Sequence, residues 1–172
     1  MKRKNKKAEI FGMSFSMIFS IILIVFFIYI GFIGIRYFLC TQKASQTGFF
    51  VNDLKNKIAE ARACDKECDF SFNSNIPTAV DYVCFINVTQ EIRNANDIEK
   101  NFYNEILKGK YILKDNLYIH TEKISDCVSP KNTQIPYIDL SEKNPVCFKA
   151  NSGKIEIKIK REYGKTGVKV YY

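Results

Sequence analysis

Residues 10–35, IFGMSFSMIFSIILIVFFIYIGFIGI, form 26 consecutive positions without one charged side chain, and no other stretch constrains the architecture so tightly. At about 1.5 Å per helical residue they reach roughly 39 Å, more than the ~30 Å hydrocarbon core of a bilayer. A transmembrane helix is expected, with the lipid bilayer as its first partner. The preceding run MKRKNKK raises a secretory signal peptide as the competing reading. Such signals use ~7–15 apolar residues and a small-residue cleavage site. Here the span is nearly twice that, and Arg36-Tyr37-Phe38-Leu39-Cys40 offers no small residue, not even before the cysteine as a lipoprotein signal would need. The span therefore reads as a retained signal-anchor.

Charge sets the expected orientation. Lys2, Arg3, Lys4, Lys6 and Lys7 crowd the amino side, while Arg36 and Lys43 are the nearby cations on the other flank, which keeps the N-terminus cytoplasmic and places the C-terminal domain outside the cell membrane. Removing the five tail charges from the formal net +8 leaves +3, so the basic balance belongs largely to a topogenic tail. A nucleic-acid partner is accordingly not expected. Within the span, Gly12, Ser16 and Ser20 recur every fourth residue along one helix face, the spacing that lets two helix backbones approach closely. Self-association through this face is a candidate property; the alternative is that the serines bond back to their own helix carbonyls.

The opening KKAEIFGMSFSMIFSIILIVFF, with basic residues, a small residue at Ala8 and a polar residue before a long apolar helix, resembles the class III signal of archaeal pilins and archaellins. The resemblance implies cytoplasmic-side cleavage between Ala8 and Glu9 and packing of the apolar helix in a filament core. Glu9 would then be the first mature residue, whereas bacterial pilins place their acid fifth; a plain reading of Glu9 is that it favours a helix N-terminus through the dipole. The whole chain also resembles a group of uncharacterised archaeal single-pass membrane proteins, through the apolar helix, a linker containing GFFVNDL, a YVCFIN strand and a late Cys-Phe pair.

The remainder predicts an α+β fold. The expected organisation is a cytoplasmic tail (1–9), a transmembrane helix (10–35), a juxtamembrane segment and amphipathic linker helix (36–63), and a small antiparallel-sheet extracytoplasmic domain (64–172). Polar TQKASQTG at 41–48 is either a hinge or a continuation of the helix. Phe50, Leu54, Ile58 and Ala61 then recur every three or four residues, an apolar face that needs a cover. Alternation predicts strands at 69–73 and 80–88, the latter apolar on both faces and hence central. Asn96 and Glu99 predict a capping box for a helix through Ile98, Phe102 and Ile106 that ends at Gly109. Hairpins are expected at 111–119 and 146–159, with a last turn at 164–167 before Val168, Val170 and Tyr172.

Six cysteines, Cys40, Cys64, Cys68, Cys84, Cys127 and Cys147, fit an oxidising exterior. Six thiols allow fifteen pairings, among which Cys84 with Cys147 and Cys64 with Cys68 are the candidates. Cys127 is unplaced, and Cys40 is left open between a free thiol, acylation and an interchain bridge. The spacing Cys64-Asp65-Lys66-Glu67-Cys68 has one residue too many for a CxxC redox site, and a second short-spaced couple for zinc is lacking. His120, the sole histidine, has no nucleophile motif beside it. No enzyme activity, metal or cofactor is expected. Asn87-Val88-Thr89 is a glycosylation sequon, with Asn87 the candidate acceptor. Lys158 and Lys160 alternate with Ile157 and Ile159, which reads as a solvated face or a charged edge strand, or else as a surface for an acidic partner. The expected role is a membrane-anchored extracytoplasmic structural or interaction protein, pilin-like, with an unidentified extracytoplasmic protein or cell-surface partner. The alternative is an unprocessed bitopic accessory or sensor module of a membrane complex.

Overall fold

A computed structural model describes residues 15–109, 114–121 and 127–172. Ala8, Glu9 and Gly12 lie outside the described residues, as does the first arm of the hairpin expected at 111–119. The chain divides into two compact units, Met1–Leu39 and Cys40–Tyr172.

In the first unit the described residues belong to helix α1, Phe15–Ala63, whose apolar window reaches a mean hydropathy of 2.9 and is long and apolar enough to cross a membrane. The described large side chains of this unit are exposed: Phe27 is 65 %, Ile28 66 % and Phe32 66 % exposed. Residues 41–48 are helical too, so the helix continues where a hinge was one of two expectations. Thr47 shows how a polar stretch stays inside a helix, since its buried hydroxyl donates to the Lys43 carbonyl at 3.0 Å.

The second unit starts at Cys40, not at residue 64, because Phe50, Val51, Leu54, Ile58 and Ala61 of α1 are buried in its core. Two antiparallel sheets share that core. One contains β1 (Cys68–Asn75), β6 (Lys154–Arg161) and β7 (Lys169–Tyr171), in the order β1-β6-β7. The other contains β2 (Tyr82–Phe85), β3 (Leu117–His120), β4 (Asn132–Thr133) and β5 (Val146–Lys149), in the order β4-β3-β2-β5. Phe72, Ile155, Ile157 and Ile159 from the first sheet meet Val83, Phe85, Leu117 and Phe148 from the second, with the α1 side chains among them. The Phe50 and Phe72 rings pack at a tilt with centroids 5.9 Å apart.

Strand β2 is central and buried on both faces. Val83 and Phe85 enter the shared core, while Cys84 and Ile86 face a second cluster completed by Tyr103 and Ile106 of helix α2, Asp97–Lys108. Asn96 and Glu99 form the capping box of α2, and Gly109 ends it. Ile98, expected on the buried face, is 49 % exposed, because the helix presents Glu99, Tyr103 and Ile106 inward instead.

Two strand assignments differ from expectation. Strands β5 and β6 do not form a hairpin: β5 pairs with β2, and β6 pairs with β1 and β7. The chain changes sheets across 150–153, where Ser152 and Gly153 both take positive φ. Consequently β6 is the middle strand of its sheet, and Lys158 and Lys160 do not guard an edge. Gly153 (φ +77°) passes so close to 76–78 that an added Cβ would lie 3.0 Å from the Ile76 carbonyl oxygen and 3.1 Å from the Thr78 methyl. Replacing Gly153 with alanine should destabilise the unit by about 1–3 kcal/mol, read as a lower denaturant midpoint with unchanged slope.

Candidate interaction site

All three cystines lie in the second unit: Cys40–Cys127, Cys64–Cys68 and Cys84–Cys147. Cys40, left open between three states by the sequence, is paired within the chain with a partner 87 residues away. Cys84 and Cys147 stand opposite each other in the β2–β5 ladder with Cα atoms 4.0 Å apart. The Cys84 backbone belongs to the β3 side, because Ile86 N–H, two residues on, donates to the Asn116 carbonyl at 2.9 Å. The two cysteines are therefore a non-hydrogen-bonded pair, the position at which facing side chains come closest.

The outer edge of β5 is closed by side chains. Glu99, 1 % exposed, accepts from the Cys147 N–H at 3.2 Å, from the Tyr172 hydroxyl at 2.6 Å and from the Asn96 N–H at 2.8 Å, and it pairs with Lys143 at 2.9 Å. Burial pushes its carboxyl up, but these four donors outweigh burial and hold it below the usual carboxylate range. The Tyr172 phenol is raised in turn, first by burial and then by the Glu99 carboxylate. Lys143 lies over the Tyr172 ring, 4.6 Å from its centroid. One carboxylate thus ties the start of α2, the edge of β5 and the last residue of the chain.

Beside this knot opens a cleft of about 850 Å³, where the end of β1 meets β5 and the start of β6. Asn73, Asn75, Asn96, Lys149 and Lys154 line it together with the Tyr172 ring. Amides, ammonium groups and an aromatic face suit hydrogen bonding to a polar chain. A nucleophile paired with a base is not among them.

The other sequence candidates are dispersed. Asn87 sits in a turn after β2, where its side-chain oxygen accepts from the N–H and hydroxyl of Thr89 at 3.0 and 2.7 Å. His120 ends β3 with its ring 4.5 Å from that of Phe102. Ser16 and Ser20 fall within α1, and Ser20 is exposed. Two lysines of the basic C-terminal strands are paired with acids. Lys169 pairs with Glu142 and with Glu162, the latter at 2.7 Å, and Lys160 pairs with Glu67 at 2.5 Å. Hydrogen bonds to these acids raise both lysines, and Lys169 lowers Glu162. Among the described residues no group of three His, Cys, Asp or Glu side chains is placed to hold a metal ion.

No protein-family model, no curated protein and no solved structure matches this chain.

The sequence missed two nodes. Asn144 is fully buried; its side chain accepts from the Asn87 N–H at 2.9 Å and donates to the carbonyls of Asn87, Gln90 and Glu91 at 2.9–3.2 Å, fixing the loop that follows β2. Tyr172 read only as a strand end. The Asn144-Pro145 dipeptide and an aromatic chain terminus were the available signals, and neither specifies its long-range partner.

Proposed function

We propose that the protein is a membrane-anchored extracytoplasmic interaction protein, pilin-like in plan, which works through contacts of its folded unit and not through chemistry on a substrate. The observation that carries this reading is the uncovered apolar surface of α1, joined in one chain to a unit braced by three cystines. Side chains such as Phe27, Ile28 and Phe32 are stable at such exposure only against lipid or other apolar helices. Cystines are at home in oxidising surroundings, and the basic N-terminal tail favours the matching orientation. The cleft beside Tyr172 supplies a polar contact surface.

The test is the mass of the purified protein, taken with and without reduction. The expected species begins at Glu9 and is lighter than its reduced form by two hydrogens per bridge. A chain still carrying Met1 would favour the unprocessed bitopic module instead. A reduced species, with its C-terminal unit protected from protease added to sealed right-side-out cells, would rule out both.

A further inference from the structure

We propose that the free edge of β1 is a self-pairing surface, on which β1 of a second copy adds antiparallel to make a continuous six-stranded sheet. The other three sheet edges are closed or short. Glu99 and Tyr172 occupy the N–H and carbonyl of Cys147 on β5, β4 has two residues, and β7 has three. Strand β1 runs for eight residues, CDFSFNSN, with one charged side chain and no proline. Natural edge strands are normally shortened, charged or covered, because unpaired backbone groups template further pairing.

The parity of the ladder fixes which groups are free. Ile76 N–H donates to the Gly153 carbonyl at 2.9 Å, one step beyond the β1–β6 register, so Phe70, Phe72 and Ser74 turn their backbone groups toward β6. Asp69, Ser71, Asn73 and Asn75 turn theirs outward, and no described group bonds their N–H. Their side chains lie on the exposed face, away from Phe72.

A second copy fits this edge in one best register, with Asp69 opposite Asn75 of the second copy and Ser71 opposite its Asn73. Four facing pairs then exchange about eight hydrogen bonds. The one charge of the strand meets an amide and not its own copy. On the core face the two Phe72 side chains fall opposite each other, at a non-hydrogen-bonded position where aromatic pairs gain most. Shifting the register by one pair either way leaves Asn75 or Asp69 without a facing partner.

Ser71→Pro tests this directly, because proline removes an outward N–H that the protomer does not use. In the full-length protein in detergent micelles, the wild type should be dimeric by light scattering and Ser71→Pro monomeric, with cystines and circular dichroism retained. The outward amides of Asp69, Asn73 and Asn75 should exchange about tenfold or more slowly in the wild type than in the variant. Should Ser71→Pro fail to fold, the double variant Ser71→Lys, Asn73→Lys places lysines opposite each other across the pair and should also be monomeric. A monomeric wild type, a dimer that survives either folded variant, or fast-exchanging outward amides would each overturn the proposal. Dimers that persist in both variants would point to the α1 helices, which the anchor reading permits and this inference does not need.

Discussion

Replacing Glu99 with alanine is expected to destabilise the folded unit by about 3–5 kcal/mol, the range for breaking a buried charged pair by deleting one partner. The substitution strips the Cys147 and Asn96 N–H groups of their acceptor and leaves Lys143 without its carboxylate. It also removes half of the α2 capping box. Glutamine is the informative companion. It can still accept from the Asn96 N–H, so the helix start survives, but its amide NH₂, in place of Oε1, faces the Cys147 N–H, the Tyr172 hydroxyl and the Lys143 ammonium as a fourth donor. Guanidinium titration followed by circular dichroism should rank wild type above Glu99→Gln and Glu99→Ala lowest. The same carboxylate predicts an acid response. Its pKa is lowered from an unperturbed 4.5 by folding. The stabilisation is therefore complete above that value and is lost as pH falls through the lower folded value, because protonation then favours the unfolded chain. That acid-limb contribution should be absent from Glu99→Gln. A Glu99→Ala protein with wild-type stability would show that the knot around Tyr172 contributes nothing.

Removing the Cys84–Cys147 bridge by a double substitution to alanine should cost about 4 kcal/mol, from a chain-entropy argument for a closed loop of its length. The bridge spans 63 residues of sequence and ties the central strand β2 to β5 inside the second apolar cluster, so lost burial adds to the loss of cross-linking. The equivalent deletion of Cys64–Cys68, four positions apart, should cost only about 2 kcal/mol by the same argument. Denaturant midpoints of the two double variants, measured side by side, check the order. Equal losses would mean that loop length does not govern these bridges.

Much of the architecture follows from local pattern. The apolar span, the amphipathic run from Phe50 to Ala61, the capping pair Asn96 and Glu99 and the two-faced strand around Cys84 each declare themselves within a few residues, because helix and strand periods and caps are local physics. The candidate surface was far less legible. Asn73 read as the end of a short strand and Asn75 as part of the break after it, and nothing near them signals an open edge. Whether an edge is open depends on where every other strand pairs.

The sequence by itself determined an apolar helix without charges, an α+β unit after it, the capped helix α2 and the two-faced burial of β2. Only the tertiary structure decided that Cys40 bonds Cys127, that β5 and β6 part into different sheets, that the lysine-bearing strand is central, and that Glu99 gathers Tyr172, Lys143 and Cys147. The division has one physical cause. Hydrophobic period and capping act between residues a few positions apart, whereas strand pairing and cystine choice join groups tens of residues apart, whose encounter depends on how the whole core packs.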